Sequence, residues 1–95
     1  MISVVVPVFN EEEGVKTFFA ELSKALPSLD KEYEVIFIDD GSTDNSLEIL
    51  KSFAEKNYNV HVFSFRRNMG KAEALTFGFM QAKGIAYRTQ TRNSF

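Results

Sequence analysis

The stretch Glu34-Val35-Ile36-Phe37-Ile38-Asp39-Asp40-Gly41-Ser42-Thr43-Asp44 decides the fold. A short apolar, β-branched run of this kind is a buried strand, here over 34–38. It stops on acids, a glycine and hydroxyls, a turn rich in helix-capping side chains. Leu47, Leu50, Phe53 and Ala54 then recur at helical spacing, which predicts a helix over 45–56. The unit repeats on both sides. Upstream, Ile2-Ser-Val-Val-Val6 reads as a strand ended by Pro7. The acidic turn Asn10-Glu11-Glu12-Glu13-Gly14 follows. Val15, Phe18, Phe19, Leu22 and Leu26 mark a helix over 12–26, with Pro27 as its stop. Downstream, Val60-His-Val-Phe-Ser-Phe65 reads as a strand and Arg66-Arg67-Asn68-Met69-Gly70 as a loop. A helix starts at Lys71, with Ala72, Leu75, Phe79 and Ala82 on one face and Gly84 as its stop. The order βαβαβα predicts an α/β fold of three layers, α/β/α, around a parallel sheet with right-handed crossovers.

Composition narrows the function. The chain has 95 residues, 44% of them hydrophobic and 25% charged, which suits one globular domain. No apolar run approaches the roughly 20 residues of a membrane helix, and the N-terminus lacks a signal-peptide pattern. With no cysteine and one histidine, disulfides, thiolate zinc sites and multi-histidine sites are excluded. Net charge of −2 argues against a nucleic-acid partner. The charge is uneven: residues 1–59 carry twelve acids and five bases, residues 60–95 one acid and six bases. A basic second half suits phosphate; two differently charged solvated faces would look the same.

Ligands of an open parallel sheet sit beyond the carboxyl ends of its strands. Those ends deliver Pro7-Val8-Phe9-Asn10-Glu11, then Asp39-Asp40-Gly41-Ser42, then Arg66 to Lys71. Carboxylates, amides and cations therefore converge on one edge. Gly-x-Gly-x-x-Gly is absent, and Gly70-Lys71 lacks the glycine and hydroxyl of a P-loop. A carboxylate at a strand end can accept the imino N–H of uracil or guanine, a bond worth about 1.5–3 kcal/mol. Helix capping explains Ser42, Thr43 and Asp44 but not Asp39 and Asp40, which precede the turn. Lys71 opens a helix whose free N–H groups favour phosphate. Phe9 follows a strand end and can stack on a base. His61 is mid-strand and alone, a packed or half-exposed histidine, and Phe18, Phe19, Phe53 and Phe79 are core by periodicity.

Val6-Pro7-Val8-Phe9-Asn10-Glu11, Glu34 to Asp44 and Arg67-Asn68-Met69-Gly70-Lys71 together resemble the start of a family 2 glycosyltransferase of the GT-A (Rossmann-like) fold. Within that family they are most similar to polyprenyl-phosphate (dolichol- or undecaprenyl-phosphate) sugar transferases. The resemblance covers residues 2–84 and implies a UDP- or GDP-linked sugar as partner. It places Pro7, Phe9 and Glu11 at the base and ribose. Asp39 and Asp40 would face the base, Asp40 as the contact. Asn68, Gly70 and Lys71 would lie at the diphosphate. The family pattern would continue into a strand ending in Asp-x-Asp, which holds Mg²⁺ or Mn²⁺. No Asp-x-Asp occurs here, and the last acid is Glu73.

Residues 1–84 are therefore expected to form the donor-binding half of a GT-A domain. Residues 85–95 would be an atypical polar tail able to begin a fourth strand. No catalytic or metal-binding residue is expected within the chain, so it should be inactive alone; Mg²⁺ or Mn²⁺ would serve the full-length enzyme. Synthesis would be cytoplasmic, and membrane contact would come only through parts not in this sequence. The alternative is a non-catalytic nucleotide-binding or self-assembling α/β module, pairing as a homo-oligomer through the sheet edge.

Overall fold

The computed structural model describes residues 1–89 and 91. Gln90 and residues 92–95, part of the expected tail, lie outside the described residues. In chain order the elements are β1 (Ile2–Val8), α1 (Val15–Leu29), β2 (Tyr33–Asp39), α2 (Ser46–Lys56), β3 (Val60–Ser64), α3 (Lys71–Gln81) and β4 (Ile85–Arg88). All strand pairs are parallel, in the order β3-β2-β1-β4. The expected three-layer α/β/α architecture is therefore the observed one.

Alternation along the strands splits the core in two. Val4, Val6, Val8, Val35, Phe37 and Val60 face one way and bury Val15 and Leu26 of α1 and Leu50 of α2. On this face Phe19 stacks on Phe53 with ring centroids 4.3 Å apart, and Phe37 meets Phe19 edge-on. Val5, Ile36 and Ile38 face the other way, onto Ala74 and Leu75 of α3. Phe77 there packs edge-on against Phe63 and Phe65.

The two prolines and one helix face depart from expectation. Pro7 does not end β1, which runs on to Val8. Val5 accepts a hydrogen bond from Thr89 on the β4 side, while Val8 accepts one from Asp40 on the β2 side. Pro7 shares the orientation of Val5, so its missing N–H falls on the β4 flank, beyond the paired residues Ile2 to Val5. Pro27 does not stop α1, which continues to Leu29. It sits in the last turn, where it forfeits one ladder bond, and the Asp30 N–H still closes onto the Leu26 carbonyl. The buried face of α3 is Ala74, Leu75 and Gly78 rather than Ala72, Leu75, Phe79 and Ala82; Phe79 is 41% exposed. Gly78 decides that rotation: a Cβ there would overlap Val5 Cγ1, so the helix rests on the sheet at its glycine. A residue unfavourable to helix interiors is what permits the close approach.

At the amino-terminal ends of the strands lies a buried polar cluster. Glu34 accepts the Ser3 hydroxyl at 2.6 Å and the Lys83 N–H at 2.8 Å, and half-exposed His61 lies 3.3 Å from its other oxygen. The Gly84 N–H donates to Ser3 Oγ, and the Ile85 N–H to the Met1 carbonyl. These bonds fix where β4 begins.

Candidate functional site

At the opposite edge, three βα loops are knitted together by side chains some thirty positions apart in sequence. Asn10 joins the first to the second. Its φ of 52° places it in the left-handed region, where asparagine is among the least strained residues. Its N–H donates to Ser42 Oγ at 2.9 Å. Its Oδ1 accepts the Thr43 N–H at 2.8 Å and the Asp44 N–H at 3.3 Å. The Glu11 N–H donates to buried Ser46 Oγ at 2.7 Å, and the Glu12 N–H to Asp44 Oδ2. Burial pushes the Asp44 carboxyl up, but the bonds from Ser46 and Glu12 outweigh it and hold the group below its ordinary value. Ser42 and Thr43, expected as helix caps, instead bind Asn10, and only Asp44 reaches the α2 N-terminus, through the Ser46 N–H at 2.8 Å.

The second loop is joined to the third through Asp40. Its carboxylate is fully buried and accepts N–H groups from Met69 at 2.7 Å, Gly70 at 3.0 Å and the Asn68 side chain at 3.1 Å. Asn68, expected at a diphosphate, therefore turns its amide inward. The base contact expected of Asp40 also meets an obstacle, because its oxygens are committed to the chain's own loop.

Asp39 and Glu11 are different. Both are buried, and each leaves one carboxylate oxygen, Asp39 Oδ1 and Glu11 Oε1, without a hydrogen-bond partner among the described residues. The other Asp39 oxygen accepts the Ser42 N–H at 3.1 Å. Burial pushes the Asp39 carboxyl above its ordinary value; the bond from Ser42 opposes the rise, and Asp44 and Asp40 add to it. Orphaned buried carboxylate oxygens are costly, and a ligand donor is one way to satisfy them.

Pro7 and Lys71 line a cavity of about 250 Å³ with Leu75, Arg88 and Thr89. Arg88 was not singled out from sequence, because only the pairing of β4 with β1 carries it to this edge. Phe9 is half-buried at the mouth of the first loop. Gly70 precedes α3 with φ 104°. A larger cavity of about 710 Å³ lies on the outer side of the third loop, lined by Phe65, Phe77, Met69 and Met80 with Arg66 and Arg67. None of the acids of the first two loops lines it. Among the described residues no group of three or more His, Cys, Asp or Glu could hold a metal ion. No helix of these residues is long and apolar enough to cross a membrane.

Residues 3–87 match the profile described as glycosyl transferase family 2. The chain belongs to that family. A curated member, undecaprenyl-phosphate 4-deoxy-4-formamido-L-arabinose transferase of Proteus mirabilis, is 42% identical over 85 residues, which are 87% of this chain and 26% of that protein. The enzyme of the same name from Pseudomonas fluorescens is 39% identical over 84 residues. The family 2 chain thus spans about a quarter of the length of the curated relatives it matches. Among solved structures, S. aureus TarS 1-349 in complex with UDP superposes with a TM-score of 0.81 at 29% identity, over 95% of this chain and 27% of that one. The mannosyltransferase PcManGT from Pyrobaculum calidifontis, in complex with GDP-Man and Mn²⁺, gives 0.67 at 25% identity, over 87% and 24%.

Proposed function

We propose that this family 2 chain is the donor-binding part of a sugar transferase and holds the nucleoside diphosphate of a nucleotide sugar at the strand ends. The observation that carries the reading is the pair of buried, unpartnered oxygens, Asp39 Oδ1 and Glu11 Oε1, at the edge where a parallel sheet takes its ligands. A base imide and ribose hydroxyls are donors of the kind these acceptors lack. Phe9 offers a ring to the base. Lys71 and Arg88 give the adjoining cavity the positive charge a diphosphate needs. Donor complexes of relatives, TarS with UDP-GlcNAc and PcManGT with GDP-Man, support the ligand class.

In the whole enzyme the sugar would pass to an acceptor such as a polyprenyl phosphate, a reading supported by the names of the curated relatives. The divalent ion expected there would take its ligands from an Asp-x-Asp strand of the whole enzyme, and among the described residues no group of three or more His, Cys, Asp or Glu could hold one. The chain alone would bind and not transfer. Calorimetry with UDP and GDP tests the binding claim: saturable one-site binding of one of them is expected, and absence of heat with both would sink it. Sugar transfer by the chain alone above a no-protein control would overturn the second claim.

One observation favours self-association beside this role. Among the described residues the strand β4 has no neighbour on its outer side, and Ile85 and Tyr87 on it are 68% and 54% exposed. A concentration-dependent dimer in sedimentation would support pairing there, and a monomer at high concentration would exclude it.

A further inference from the structure

Asp40 spends its carboxylate on one loop. Its Oδ1 takes the Met69 N–H, and its Oδ2 takes the Gly70 N–H and the Asn68 amide. The Asp40 carbonyl takes the same Asn68 amide at 3.3 Å, and its own N–H is tied to the Val8 carbonyl at 2.8 Å. The neighbouring glycine makes the seat. Gly41 has φ 73°, and a Cβ there would overlap the Arg67 carbonyl carbon and the Asn68 nitrogen. The 67–70 backbone is thus drawn down onto the end of β2, and Lys71 follows immediately as the first residue of α3.

We propose that Asp40 is a positioning residue for the donor diphosphate. It sets the β3–α3 loop, and through the loop the α3 N-terminus and Lys71, at the cavity shared with Arg88. This rests on the donor-site reading above. A carboxylate has about four acceptor positions. Three of Asp40's are taken by the loop, and the side chain has no exposed surface, so a base imide reaches it only by displacing loop donors. Reading the base falls instead to the orphaned oxygen of Asp39.

Uridine and UDP separate the two roles. Their affinities would be measured for the wild-type chain, Asp40→Asn and Asn68→Ala, together with NMR hydrogen exchange of the Met69 and Gly70 amides. In Asp40→Asn, UDP affinity should fall about tenfold or more while uridine affinity changes by less than about twofold. The Met69 and Gly70 amides should exchange faster, and those of Val5 and Ile36 should stay protected. Asn68→Ala, at an exposed residue, removes one amide group and its two bonds to Asp40, leaves the Met69 and Gly70 donors in place, and should move UDP affinity and exchange in the same direction by less. It carries the test if Asp40→Asn does not fold. Equal losses for uridine and UDP with unchanged loop exchange would overturn the proposal. If the wild-type chain binds neither ligand, the donor reading fails on its own. Exchange then decides the loop: faster Met69 and Gly70 exchange in the variants keeps Asp40 as its holder, and unchanged exchange removes it.

Discussion

Glu34 at one end of this sheet and Asp39 and Glu11 at the other are buried carboxylates treated oppositely, whereas Asp40, beside Asp39, is satisfied by its own loop. Glu34, at the amino-terminal ends, has a hydroxyl and a backbone N–H on one oxygen and a histidine facing the other. Asp39 and Glu11, at the carboxyl-terminal ends, each keep a buried oxygen with no partner among the described residues. Burial alone does not separate them, since all three are nearly inaccessible. Partnership does. A satisfied buried acid ties elements together; an unsatisfied one costs stability and is tolerated where a ligand supplies the missing donor.

The largest effect should come from breaking the satisfied end. Glu34→Ala strands the buried Ser3 hydroxyl, takes the acceptor from the part-buried Lys83 N–H, and should cost about 3 kcal/mol in urea denaturation. Nucleotide affinity of the folded fraction should stay within about twofold, because the opposite edge is untouched. A comparable loss of binding would erase the distinction between the two ends.

Asp39→Asn should do the reverse. Exchanging a carboxyl oxygen of Asp39 for an amide nitrogen should weaken binding of the cognate nucleoside diphosphate about 10- to 100-fold. Stability should move the other way. The Asp39 carboxyl is raised in the folded state, so the native protein holds a proton that the unfolded chain has released. Stability is then lost as pH climbs from the ordinary value of 3.8 through the raised one. Asparagine removes that fall, so the variant should gain on wild type between pH 3 and pH 7 in urea midpoints. A variant losing ground over that range would contradict the assignment.

Smaller again is Asn10→Ala, which cuts the tie between the first two loops and puts alanine at φ 52°. About 1–2 kcal/mol of stability should go, with weaker nucleotide binding. The smallest effect is expected of His61→Gln. Its side chain is 40% exposed, so its pair with Glu34 should be worth under about 1 kcal/mol.

How much of this was legible in the sequence follows from the range of the interactions. Strand runs and helical periodicity are local, so the alternation of elements and the convergence of the Asp39, Glu11 and Lys71 segments on one edge could be read directly. The face of α3 could not. That helix carries apolar residues on several sides, and the choice among them was made by Gly78 meeting Val5 across the sheet. Pro7 and Pro27 misled because a proline's cost depends on whether its missing N–H had a partner, which is a tertiary fact. The different fates of adjacent Asp39 and Asp40 depend on loops some thirty residues away, and Asn10 emerged as the tie only when those loops met. Arg88 joined the site through the pairing of β4 with β1.

The most direct test of the central claim is an amide NMR titration of the chain with UDP and with GDP. The account predicts shifts confined to residues 9–12, 39–44, 67–71 and 88–89 with one of the two nucleotides, and a silent cluster at Ser3, Glu34, His61 and Lys83. Shifts centred on that cluster, or none with either nucleotide, would contradict it.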